Sequence, residues 1–308
     1  MTFSEWMRNN LLNSWEGLIT QDIDYIVFDS KLNSFLLLEE KNNFHAPINI
    51  GQAIIFKFLD EFLNLQKICT YNGSFLVYVT ETKSNSAIYI NPPIKKDDNM
   101  RRYIADINNN NNVKNINLEN FLEYLCDNQN NLKQSFYRNW WNYIINTQIN
   151  NLYDCKGEPP KFHTRGERSH YRGFKLQNLC KNIKNINWIF VNYCTGYFIL
   201  IEEKTNSNGQ YTPSEEECQL IDIINKIFEE SDRKNKNLPN NNKIKNPRSN
   251  AIYEYLGYFL IEFDNSTPDN SKSIWLNHEP IDKKDLITFL NLNTDSLSIA
   301  NSYRNQWW

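Results

Sequence analysis

The chain contains two versions of one pattern, and that repetition constrains its fold more than any other feature. "DIDYIVFDSKLNSFLLLEEK" (22–41) aligns without a gap on "NINWIFVNYCTGYFILIEEK" (185–204), with seven of the twenty positions identical. Three later stretches recur in the same order: "NGSFLVYV" (72–79) with "LGYFLIEF" (256–263), "AIYINPP" (87–93) with "SIWLNHEP" (273–280), and "SFYRNWW" (135–141) with "NSYRNQWW" (301–308). Chance supplies one such match far more easily than four in register. The expectation is two tandem copies of one fold, 1–141 and 142–308, and 308 residues suit two domains of ordinary size.

Each copy carries the same series of local signals. "DYIVFD" and "SFLLLEE" are apolar runs around a turn, which predicts a hairpin in the first copy, with "YCTG" as the turn of the second. The stretch 49–66 has apolar residues at helical spacing, as has its counterpart 214–230, where Ser214 and Glu217 suit a capping box. Two more strands follow, and then a helix at 118–126 in one copy and 283–291 in the other. The predicted class is α/β (α+β): in each copy a small mixed sheet flanked by helices.

Composition narrows the function classes. A formal charge of −3 gives no global positive field, so any nucleic-acid contact must come from a local patch. The N-terminus "MTFSEWMRNN" lacks the pattern of a signal peptide, and no apolar run has the length of a membrane span. Six scattered cysteines without a CxxC pair suggest reduced thiols, so the expected location is the cytoplasm, with no membrane partner. Asparagine-rich stretches at 106–117 and 232–250 are expected as flexible surface loops, with AT-rich coding bias as their origin. His45 and His278 are isolated and expected at the surface, and the Trp pairs 140–141 and 307–308 are expected to pack at unit ends.

The recurring "EEK" carries the chemistry. Glu39 and Lys41 are two residues apart and so share a strand face, and antiparallel pairing can bring Asp24 beside them. Two carboxylates with water and phosphate oxygens are a usual Mg²⁺ environment, and a lysine alongside can orient a water or offset charge on phosphate. This arrangement resembles the PD-(D/E)XK nuclease superfamily, in which an Asp, a variable hairpin and then (Asp/Glu)-x-Lys end an apolar strand. Asp24, Glu39 and Lys41 match that pattern, and Gln52 in "GQAIIFKF" matches a helix glutamine that many members carry. The chain departs from the pattern in having no proline before Asp24, and a strand phase shifted by one would bring in Asp22 or Glu40 instead.

The resemblance implies two tandem restriction-endonuclease-like domains. It also implies a Mg²⁺-dependent nuclease, with Mn²⁺ as a substitute, that hydrolyses phosphodiesters in DNA, or RNA. The second copy carries Asn187 in the place of Asp24 and keeps Glu202, Lys204 and Gln219. An amide brings no charge to a cation, so this copy is expected to be degenerate and to position substrate. It also holds an insertion, 155–175, whose Lys161, Arg165, Arg168, His170 and Arg172, interleaved with Tyr171 and Phe174, suit phosphate and base contacts as readily as they suit a solvated charged loop. A zinc site from Cys155, His163, His170 and Cys180 matches no standard spacing. The alternative function is a non-catalytic nucleic-acid-binding or scaffolding protein of two inactive nuclease-like modules. An effector that needs an activator, a protein partner or a homodimer is a further option.

Overall fold

The computed structural model describes residues 2–14, 16–29, 33–41, 50–81, 86–90, 94–96, 103–105, 183–205, 211–246, 249–304 and 307–308. The first unit runs α1 (Phe3–Asn10), β1 (Leu18–Asp29), β2 (Ser34–Lys41), α2 (Ile50–Leu63), β3 (Thr70–Glu81) and β4 (Ser86–Ile90), followed by the short pair β5 (Ile94–Lys96) and β6 (Tyr103–Ala105). The second runs β7 (Ile183–Asn192), β8 (Tyr197–Thr205), α3 (Glu215–Asn237), β9 (Glu254–Phe263), β10 (Ile274–Leu276), β11 (Glu279–Pro280), α4 (Lys283–Leu290) and α5 (Ser296–Ser302). The mixed α/β class expected from the sequence is present. The basic insertion 155–175, the helix expected at 118–126, the proposed zinc residues, His45, Trp140, Trp141 and the 141/142 boundary lie outside the described residues.

Among the described residues one sheet of nine strands runs through both units, in the order β11-β10-β9-β8-β7-β1-β2-β3-β4. The pairings are the same on either side of its centre. β1 is antiparallel to β2, β2 parallel to β3 and β3 antiparallel to β4, while β7 is antiparallel to β8, β8 parallel to β9 and β9 antiparallel to β10. The centre is the antiparallel pair β1–β7, in which Ile23 faces Ile186. Gln21↔Ile189 and Ile26↔Lys184 are equivalent pairs on either side of it, as are Thr20↔Phe190 and Val27↔Ile183. A pseudo-two-fold axis therefore passes between Ile23 and Ile186.

Details of backbone repeat as well. The hairpin turns place Asn33 at φ 45° and Gly196 at φ 81°, the left-handed region that Gly enters freely and Asn tolerates. The carbonyl of each turn residue accepts from the first amide of the parallel strand, Thr70 to Asn33 at 2.9 Å and Glu254 to Gly196 at 3.0 Å.

The units share their cores. On one face of the sheet, Phe58 and Phe62 of α2 pack on Phe198 of β8, and Phe62 also meets Phe228 of α3. On the other face, α1 lies against the second unit: Phe3 packs on Trp188 and Phe263, and Trp6 donates to Asp269 at 2.9 Å. The capping box of Thr2 and Glu5 starts this helix, whose Phe3, Trp6 and Met7 fall on one buried side. Two separate small sheets were expected, but the apolar faces of both units are buried against each other.

Part of the stretch 232–250 is not a loop. Residues up to Asn237 continue α3, and Asp232 accepts from the Tyr255 amide at 3.1 Å. The buried Asn235 side chain bonds Ile244 N at 2.7 Å and the carbonyls of Ile244 and Tyr253 at 3.2 and 3.3 Å. Here asparagine satisfies backbone groups that would otherwise be orphaned under the chain.

Candidate functional site

Paired strands set up the first unit's site. The β1–β2 register opposes Tyr25 to Leu38, so Asp24 falls beside Glu39. Phe35 and Leu37 of β2 face the core under α2, and the period of two carries Glu39 and Lys41 to the same side. The β1–β7 ladder shifts register between Gln21 and Ile23 and again between Ile23 and Ile26, a local irregularity at the residues that include Asp22 and Asp24. Gln52 enters from the third position of α2.

These residues meet. Glu39 Oε1 accepts from Lys41 Nζ at 2.6 Å and from Gln52 Nε2, and Lys41 Nζ also reaches Gln52 Oε1 at 3.4 Å. Glu39 is only 5% exposed, yet its Oε2 has no hydrogen-bond partner among the described residues. Asp24 Oδ2 accepts from the Glu40 amide at 2.7 Å and so ties the hairpin together. Burial raises the Asp24 carboxyl well above its ordinary value, and the negative charges of Glu39 and Asp22 push it further. Glu39 is raised too, by burial against the pull of Lys41, with Asp22 adding to the rise. Burial works against the Lys41 charge, but Glu39 and Asp24 outweigh it and hold the ammonium above its ordinary value. Asp22, Asp24 and Glu39 thus all act electrostatically on Lys41. Glu40 points elsewhere, accepting from the Tyr25 hydroxyl at 3.1 Å.

The second unit repeats the frame with the charges rebalanced. Asn187 Oδ1 accepts from the Glu203 amide at 3.0 Å, the counterpart of Asp24 and Glu40, and Trp188 donates to Glu203 at 2.8 Å where Tyr25 donates to Glu40. Glu202, 3% exposed, binds Lys204 through Oε1 at 2.8 Å. Its Oε2, the atom equivalent to the unpartnered oxygen of Glu39, meets Lys184 Nζ at 3.3 Å and the Tyr258 hydroxyl at 3.1 Å. Lys184 stands where the first unit has Gln21, and Asn185 where it has Asp22.

Gln219 does not occupy the place of Gln52. It is exposed, because α3 begins at Glu215 and Glu217 is its third residue, as Gln52 is in α2. Two residues further on is about 200° around the helix. Glu217 turns inward to Lys184 at 2.5 Å and accepts from the Tyr211 hydroxyl at 2.5 Å. Burial would raise the Glu217 carboxyl, but Lys184 and Tyr211 outweigh it and hold it below its ordinary value. His278 is no isolated surface residue: it meets buried Glu262 at 2.7 Å and the Trp307 carbonyl at 3.2 Å. Trp307 is buried against Tyr258 and Tyr211, in keeping with packing at the unit end.

Sequence reasoning missed Lys184 and Glu262, and it read Glu217 only as a capping residue and His278 only as an isolated one. Lys184 had a signal, since extending the ungapped alignment by one residue sets it against Gln21. Glu262 needed the β8–β9 register, which sets it against Lys204 where the first unit sets Tyr78 against Lys41.

Two proteins of Archaeoglobus fulgidus, both described as uncharacterized, are similar to this chain. One is 42% identical over 142 residues, which are 44% of this chain and 90% of the relative. The chain belongs to the family of this archaeal protein. The other is 31% identical over 128 residues, 41% of this chain and 76% of the relative. Each match covers less than half of this chain. No family model matches the chain, and no solved structure matches it. No helix among the described residues is long and apolar enough to cross a membrane.

Proposed function

We propose that the protein is a metal-dependent nuclease that hydrolyses phosphodiester bonds in DNA or RNA, with its centre in the first unit and the second unit positioning substrate. The observation that carries this reading is the contrast between equivalent atoms. Glu202 Oε2 meets an ammonium, while Glu39 Oε2 is buried with no partner and has Asp24 beside it. A buried carboxylate oxygen left without a hydrogen bond is costly, even with Lys41 on the other oxygen, so a centre built this way suits a cation brought from solution.

The donor set fits Mg²⁺ or Mn²⁺. Asp24 and Glu39 offer hard carboxylate oxygens, two being the usual protein share around Mg²⁺, with Asp22 adding negative charge nearby. Such an ion, when bound, lowers the pKa of water and offsets charge on phosphate oxygens. Gln52 fixes the Glu39 carboxylate through Oε1 and leaves Oε2 for the cation. Lys41 stays protonated between Glu39 and Asp24, so its role is to hold phosphate or a water by donating hydrogen bonds, not to remove a proton. The raised carboxyls of Asp24 and Glu39 are protonated more readily than free ones, and a divalent cation competes with those protons. The reading as a non-catalytic scaffold accounts for the second unit but gives no reason for the partnerless Oε2 of Glu39 in the first.

Incubation with plasmid, single-stranded DNA and RNA tests the reading. Cleavage is expected with Mg²⁺ or Mn²⁺, none with EDTA, and none from Glu39→Gln. Arg165, Arg168 and Arg172 are expected to contribute phosphate contacts, read as a shallower salt dependence of binding when all three are neutralised.

A further inference from the structure

Lys184 stands where the first unit has the neutral Gln21, and its ammonium sits between two carboxylates, Glu202 Oε2 at 3.3 Å and Glu217 Oε1 at 2.5 Å. Lys184 and Glu202 are both buried. The position is that of the unpartnered Glu39 oxygen, as judged by equivalent atoms of one repeat. Three changes on the first strand move charge in one direction: Gln21 to Lys184 adds a positive charge, while Asp22 to Asn185 and Asp24 to Asn187 remove two negative ones; Gln52 to Glu217 adds back one negative charge, the one that Lys184 meets, and Tyr78 to Glu262 another. None of them breaks the frame, since Asn187 still accepts from the Glu203 amide.

We propose that the second unit contains a latent divalent-cation site, formed by Glu202 and Glu217, that the tethered ammonium of Lys184 keeps filled. The inference rests on the reading of the first unit as a cation site. The chain then has one exchangeable cation site, and the second unit folds with a cation of its own that no chelator removes. An ammonium carries one charge and sits at hydrogen-bond distances, whereas Mg²⁺ carries two and draws oxygens to about 2.1 Å. Removing Lys184 therefore leaves two carboxylates that a divalent ion can bring together. Tyr258 and Tyr211, which donate to Glu202 and Glu217, hold these carboxylates whether or not Lys184 is present.

The test uses the full chain carrying Glu39→Gln, so that the first unit contributes no cation response, and reads thermal melting with and without Mg²⁺ or Mn²⁺. Glu39→Gln alone should melt at one temperature in both conditions. Glu39→Gln with Lys184→Gln should melt lower in EDTA and recover on addition of the ion, with a saturable rise of about 3 °C or more. Lys184→Arg in the same background keeps a positive charge and should show no rise. A Lys184→Gln variant that melts lower and does not respond to the ion overturns the proposal, because a merely structural lysine behaves so. If that variant does not fold in EDTA, refolding with Mn²⁺ asks the same question: recovery supports the site, and failure in both conditions overturns it. If the chain with Glu39 intact gains nothing from the ion, the reading of the first unit fails, whatever Lys184→Gln does.

Discussion

Ile23 of β1 lies across from Ile186 of β7, and the two are the same position of the two units. A strand has paired with its own duplicate about a pseudo-two-fold axis, as identical subunits do across an isologous interface. Asp24 and Asn187 each follow one residue after this pair, so the site of one unit and its rebalanced counterpart flank the axis.

The shared sheet and cores predict a single unfolding transition. Trp6 is fully buried against the second unit, so Trp6→Ala should cost about 3–5 kcal/mol. It should lower the melting temperature of the whole chain, not of one half. Calorimetry that resolves two transitions, with only one of them shifted, would show the units to be independent.

Asp24→Asn should separate function from stability. The amide keeps the bond to the Glu40 amide, as Asn187 does to Glu203, and removes a buried charge beside Glu39 and Asp22. In EDTA the variant should be as stable as the parent or more stable, by on the order of 1 kcal/mol. Cleavage should fall by at least about 100-fold with the loss of an anionic ligand. Melting and rate measured on one preparation check both halves.

The pH dependence follows from the same carboxyls. Burial, reinforced for Asp24 by Glu39 and Asp22, raises Asp24 and Glu39 in the folded chain above the values of the unfolded one. The folded protein holds these protons more tightly, so their contribution to stability is full below about pH 4, where unfolded carboxyls also titrate, and is lost as pH rises through the raised folded values. In EDTA, the stability difference between Asp24→Asn and the parent should therefore widen in favour of the variant as pH increases. Saturating Mg²⁺ should narrow it. A difference independent of pH would mean that Asp24 titrates normally.

Gln52 and Gln219 should behave differently despite their matched sequence context. Gln52→Ala removes a buried donor to Glu39 and should cost about 1–2 kcal/mol and most of the cleavage. Gln219→Ala, at an exposed position of α3, should change stability by less than about 0.5 kcal/mol. Glu217→Gln, which weakens the hold on Lys184, should destabilise more than Gln219→Ala.

Much of the fold was legible in the sequence because its information is local or repeated. The hairpins of 22–41 and 185–204, the helix starting near Ser214 and the trio Asp24, Glu39 and Lys41 follow from alternation, capping and strand phase. The single continuous sheet was not legible, because nothing local says that the β1 edge is covered by β7 and not by solvent. Nor was the placement of α1 on the far unit, since an amphipathic helix reveals which side is buried but not against what. Gln219 was misplaced because the loops before α2 and α3 differ in length, which breaks the ungapped alignment before the helix begins. Asn235 was taken for loop composition because its three backbone partners are 9 and 18 residues away.

The central claim is that the first unit cuts and the second does not, and a cleavage assay on matched point variants tests it most directly. Lys41→Ala and Lys204→Ala remove the equivalent lysine of each unit, and thermal melts confirm that both remain folded. Lys41→Ala should lose Mg²⁺-dependent cleavage, while Lys204→Ala, at a lysine whose side chain is 31% exposed, should keep most of it. Cleavage lost with Lys204→Ala and kept with Lys41→Ala would contradict the assignment of the units, and a wild-type chain that cuts no DNA or RNA with Mg²⁺ or Mn²⁺ would contradict the account itself.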